Sequence, residues 1–95
     1  MTQEYFIGEL SVRMEELQTT SACRAARDMT RLRWQVESGS PAGLASAARR
    51  ALMLADELCW ESLSRGDIPA FAKQARAAAE LRQFAICARL LREGC

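Results

Sequence analysis

Ser64-Arg65-Gly66-Asp67-Ile68-Pro69-Ala70 reads as one helix ending and the next beginning within two residues. Glycine adopts the left-handed backbone that closes a helix. Aspartate accepts hydrogen bonds from the free amides of the helix that follows. Proline fits a first helical turn, where its missing N–H is no loss. Arg65 falls in the last turn before the stop and complements the helix dipole. A joint this short leaves two helices side by side and antiparallel.

A second punctuation mark, Ser38-Gly39-Ser40-Pro41, has Ser40 as a candidate N-cap and Pro41 at a candidate first helical position. The two marks divide the chain into three long helical stretches. In the first, about Thr2 to Glu37, Leu10, Met14, Leu17, Ala25, Met29, Leu32 and Val36 follow helical spacing. Thr19-Thr20-Ser21 interrupts it, since consecutive threonines disfavour a helix interior and Ser21 is an N-cap candidate. An unbroken rod of ~50 Å would also outrun the later helices, at ~36–39 Å. The second stripe is Leu44, Ala48, Ala51, Ala55, Leu58 and Ser62, flanked by Leu52 and Cys59. The third is Phe71, Ala75, Ala78, Leu81, Ala85, Ala88 and Leu91, widened by Phe84, with Arg89 and Arg92 near its end and Gly94 as its stop. The expected fold is an all-α antiparallel bundle in one helical domain over residues 1–95. It has three long segments, the first broken near residue 20 to give four helices.

Leu63 to Ala72 resembles the joint between helices of some helical-repeat proteins, and type III secretion chaperones with tetratricopeptide-like folds carry a similar Arg-Gly-Asp joint. The likeness covers only those residues of the 95. The flanking helices are too long for a repeat of about 34 residues and no second copy follows, so no family is assigned from it.

Composition narrows the function. The chain is 49% apolar but 6% aromatic, and it has seventeen alanines. It has no histidine, which removes Ser-His-Asp and Cys-His nucleophilic sites and the usual zinc and haem ligand. Glu57 and Glu61 share a helix face, but a di-metal bundle site also needs Glu-x-x-His. No catalytic residue, metal or cofactor is expected. Cys23, Cys59, Cys87 and Cys95 show no metal spacing and read as reduced core thiols, with Cys95, at the end of the sequence, open to an adventitious intermolecular disulfide. No apolar run is long enough to span a membrane and the first twenty residues do not spell an export signal, so a cytoplasmic location is expected. Twelve of the thirteen basic residues are arginine; with the alanine content this suggests a GC-rich, bacterial genome.

The net charge is +1, but it is distributed in blocks. Residues 1–20 carry four glutamates and one arginine; residues 21–50 carry six arginines against Asp28 and Glu37. Such blocks attract when elements fold back on one another. Arg24, Arg27 and Arg31 are expected to pair with the acidic N-terminal helix or with Asp56, Glu57 and Glu61.

Two tryptophans fall off the apolar stripes. Trp34 lies about 200° around its helix from Leu32, at 100° per residue, among Arg27, Thr30, Arg31 and Ser38. Trp60 lies off the Leu44–Leu58 stripe, beside Met53, Asp56, Glu57 and Ser64. Tryptophan and arginine are enriched at binding hot spots. The expected function is therefore non-enzymatic: an adaptor, chaperone or regulatory subunit that presents a helix face. Trp34, Arg27 and Arg31 form the first partner-binding set, with Trp60 and Met53 as a second anchor. An alanine-rich seam buries little area in a small chain, so a homo-oligomer is the expected partner, ahead of another protein. The competing reading is a small nucleic-acid-associated regulator that uses Arg24, Arg27, Arg31, Arg49 and Arg50, with Trp34 as a stacking platform. Ala78→Leu is expected to overpack the seam.

Overall fold

The described residues, 3–17, 23–38 and 43–88 of a computed structural model, form four α-helices and no strand. α1 spans Gln3–Glu16, α2 Arg24–Glu37, α3 Leu44–Ser64 and α4 Ile68–Cys87. The first stretch is indeed broken, between Glu16 and Arg24. The long axis of the molecule is 39 Å, too short for the ~50 Å rod that an unbroken helix would make. Thr19, Thr20 and Ser21 lie outside the described residues. The N-cap of α2 is Cys23, whose side chain makes no capping hydrogen bond.

Each helix packs on its chain neighbour, and α1 closes the ring on α4. The register is antiparallel throughout. On α1 and α2, Ser11 meets Glu37 while Glu15 meets Arg33. At the α2–α3 groove, Val36 lies with Leu44 at one end and Arg24 with Glu57 at the other. Between α1 and α4, Phe6 packs on Phe84 with ring centroids 6.4 Å apart, and the Arg13 guanidinium lies 5.3 Å from the Phe84 centroid.

The α3–α4 joint is built as its residues dictate. Gly66 has φ +72°. The Gly66 amide donates to the Leu63 carbonyl and the Asp67 amide to the Ser62 carbonyl, both at 3.0 Å, the paired bonds of a glycine-closed helix end. Asp67 then caps α4 by accepting from the Ala70 amide at 3.2 Å, with Pro69 in the first turn. Arg65, one residue beyond α3, bridges back to Glu61 at 2.7 Å. The other joint differs from expectation: α3 starts at Leu44, after Gly43, where the first side chain enters the core. Ser40 and Pro41 lie outside the described residues.

One core runs through the ring. All the apolar residues expected to be buried in the first stretch, and the whole Leu44–Ser62 stripe of α3, are buried, together with Leu54. The α4 stripe needs correction. Its buried residues are Gln74, Ala77, Leu81 and Ala85, while Phe71, Ala75, Ala78, Phe84 and Ala88 are only half-buried. The buried face is turned by roughly 40° from the expected one, at 100° per residue. The turned face accommodates a polar pair: Ser62 donates its hydroxyl proton to the Gln74 side-chain carbonyl across the α3–α4 contact, and both residues are buried. Ala78 is therefore a flank position and Ala85, with no exposed surface, is the better site for an overpacking test. Leu91, Arg89, Arg92, Gly94 and Cys95 lie outside the described residues.

Arg33 clamps α1 to α2. Its Nε donates to Glu37 at 3.1 Å and to Ser11 at 3.2 Å, and its Nη2 reaches Glu15 at 3.3 Å. The Ser11 hydroxyl holds the Glu37 carboxyl below its ordinary value; desolvation opposes it, and Arg33 adds smaller lowering contributions through its hydrogen bond and its charge. A carboxyl whose pKa is lowered in the folded state stabilises the fold above its ordinary pKa, and that contribution is lost as pH falls through the lowered value. Thermal unfolding followed from neutral pH into the acid range should thus show a small loss that Glu37→Gln removes. An acid profile identical in the two proteins would contradict it.

Candidate docking faces

On α2 the core-facing residues are Ala25, Ala26, Met29, Leu32 and Val36. A residue diametrically opposite that stripe points away from the bundle, and Trp34 holds this position with 70% of its surface exposed. On α3 the core stripe leaves the opposite line to Ser46, Met53 and Trp60. Met53 is 68% and Trp60 69% exposed. Seven residues separate each from the next, so they drift by only about 20° and rise ~10.5 Å per step. Isolated exposed apolar residues are ordinary; here the largest side chains of two helices occupy the most solvent-directed positions.

The two anchors do not merge into one patch. The antiparallel register sets Trp34 beside the first turns of α3, whereas Trp60 lies in the last turns of α3. Trp34 keeps Arg27 and Arg31 as exposed neighbours on α2; Trp60 keeps Met53, Asp56 and Glu57 on α3. The molecule carries two faces.

The arginines find partners other than those expected. Arg24 and Arg31 both reach Asp28 on their own helix, at 3.9 and 4.0 Å. It is Arg33 that meets the acidic N-terminal helix, and Glu61 is taken by Arg65. Arg27, Arg49 and Arg50 make no ion pair among the described residues. Of the basic set, Arg24, Arg31 and Arg50 come together along the α2–α3 groove around Asp28.

Arg33 and Ser11 are the contacts that sequence reasoning missed. The only local signal was the i, i+4 spacing of Arg33 and Glu37. An open cleft of about 390 Å³ also lies between the end of α2 and the start of α3, lined in part by Leu32, Val36, Leu44 and Arg50.

No protein-family model, curated protein or solved structure matches this chain. Function must therefore be read from the two faces themselves.

The thiols offer little chemistry. No disulfide joins Cys23, Cys59 and Cys87. The expectation of core thiols is corrected: Cys23 and Cys59 are half-buried, at a helix start and on a flank, and Cys87 is exposed at the end of α4. Burial, then the nearby Asp56 charge, pushes the Cys59 thiol above its ordinary value, away from the thiolate that reacts. Among the described residues no group of three metal-ligating side chains forms, and no helix is long and apolar enough to cross a membrane.

Proposed function

We propose that this chain is a non-enzymatic helical interaction protein whose working surfaces are the outward faces of α2 and α3. One observation carries the reading: Trp34, Trp60 and Met53 stand opposite the core stripes of their helices with about 70% of each exposed. Covering an indole removes a large apolar area from water, and arginines beside it supply orienting hydrogen bonds. Trp34 with Arg27 and Arg31 is the first docking set; Trp60 with Met53 is the second.

The test is a photo-reactive amino acid placed at position 34 or 60 in the producing cell, with the exposed Lys73 position as control. Discrete adducts at 34 or 60 and none at 73 support the reading. Absence of adducts at both would sink it. Trp34→Ala and Trp60→Ala should each leave the stability of the unassociated chain within about 0.5 kcal/mol of the parent, measured by thermal unfolding at high dilution. Loss of folding in either variant would make that indole part of the core.

A second reading draws on the α2–α3 groove, where Arg24, Arg31 and Arg50 gather, with Arg27 and Arg49 exposed on the same two helices and without an ion pair among the described residues. Arginines of this kind bind phosphates, and Trp34 could stack on a base. Retention on single-stranded nucleic acid that falls steeply with salt would favour it.

A further inference from the structure

The outward face of α3 is charged in a self-complementary order. Arg49 and Arg50 precede Met53; Asp56 and Glu57 follow it. All four are exposed, and none makes an ion pair among the described residues. Each arginine is seven residues from the acid on its own side of the helix, twice the reach of an i, i+3 or i, i+4 pair. The charges therefore have no partner within α3.

We infer that a second copy of this chain is the partner, with α3 packed antiparallel on α3 about a two-fold axis at Met53. The inference rests on the interaction reading above and names the occupant of its α3 face. A two-fold axis between antiparallel helices brings the same flank of both helices together, each residue before the axis facing one equally far beyond it. On one flank, Arg50 then faces Glu57 of the second copy. On the other, Arg49 faces Asp56. The mismatch in each pair is one residue, ~1.5 Å. Symmetry repeats both contacts, so four ion pairs border the seam.

The seam itself fits. Met53 meets its own copy at the axis, where a flexible thioether adapts to itself. Trp60 falls opposite Ser46, a small exposed residue that leaves room for an indole, and near Arg49 and Arg50 of the second copy, within reach of cation–π contact. A parallel pairing would set arginine against arginine and acid against acid. Trp34, on α2 and toward the other end of the bundle, stays outside this interface.

Charge reversal tests the geometry. Sedimentation equilibrium is run with reductant present, so that the exposed Cys87 thiol cannot link copies. The parent chain should dimerise, more tightly at low salt. Arg49→Glu with Arg50→Glu, or Asp56→Arg with Glu57→Arg, makes all four border pairs repulsive, and each should weaken dimerisation by about tenfold or more. Mixing the two reversed proteins should give a heterodimer, and the fourfold exchange in one chain should restore the homodimer. Trp34→Ala should leave the dimer unchanged. A parent chain that stays monomeric, a dimer indifferent to both reversals, or a folded fourfold exchange that fails to dimerise would each overturn the inference. If such a result came with persistent adducts at position 34 or 60, the interaction reading would survive and only the choice of partner would fall.

Discussion

Leu58→Ala is expected to destabilise the bundle by about 4–5 kcal/mol, the upper part of the range for such changes. Leu58 has no exposed surface and lies toward the C-terminal end of the core stripe of α3, between Ala55 and Ser62. The cost of a large-to-small change depends on how far the surroundings close over the vacated space. Here the buried positions include Ala48, Ala51, Ala55, Ala77 and Ala85. A methyl group has no rotamer with which to reach into a cavity, so relaxation would need the helices themselves to shift. A domain of this length typically has about 5–14 kcal/mol of stability in all. At the lower end of that range the variant sits close to its unfolding transition at room temperature; throughout it, the change is read as a large drop in the denaturant midpoint with little change in slope. Met53→Ala, on the opposite side of the same helix, should be nearly silent at dilutions where the chain is monomeric. A loss below about 1 kcal/mol for Leu58→Ala would show that the alanine-lined core collapses readily.

The second large effect belongs to Ser62 and Gln74. Ser62→Ala is expected to cost about 1–3 kcal/mol, because it leaves the buried Gln74 carbonyl without its donor. Replacing both residues, Ser62→Ala with Gln74→Leu, removes both polar groups and should recover most of that loss. The difference between the double change and the sum of the single ones measures the coupling. Gln74→Leu alone should be milder than Ser62→Ala, since an orphaned serine hydroxyl can turn to a carbonyl one turn back in its own helix. If the double variant is worse than Ser62→Ala alone, the pair is not acting as one hydrogen-bonded unit and the leucine is too large for the site.

How far these features were readable depends on contrast between neighbouring residues. On α3, leucine and alanine alternate with arginine, aspartate and glutamate, so the buried stripe was legible residue by residue. On α4, alanine occupies 75, 77, 78 and 79, interrupted only by Arg76, and cannot tell one face from another. One of the four buried residues of α4 is a glutamine, which apolar periodicity passes over. The Asp67 cap and Gly66 stop were legible because the chemistry is local. The starts of α2 and α3 were not, since neither Cys23 nor Gly43 carries a capping side chain. The outward direction of Trp34 and Trp60 followed from spacing alone. That they occupy separate faces required the α2–α3 register. Arg33 escaped because its partners Ser11 and Glu15 come from another helix.

The contact of Phe6 with Phe84 brings the beginning of α1 alongside the end of α4. A bundle closed in this way has no privileged seam: each helix has two flanking neighbours whichever loop is severed. A circularly permuted gene could run from α4 through a flexible linker into α1, and open the backbone at Arg65–Asp67 instead. All four helix pairings would survive while the tightest connection is lost. In the natural order one of the four pairings, α1 with α4, has no direct link; the permutant would give it one and leave α3 with α4 as the pairing held by packing alone.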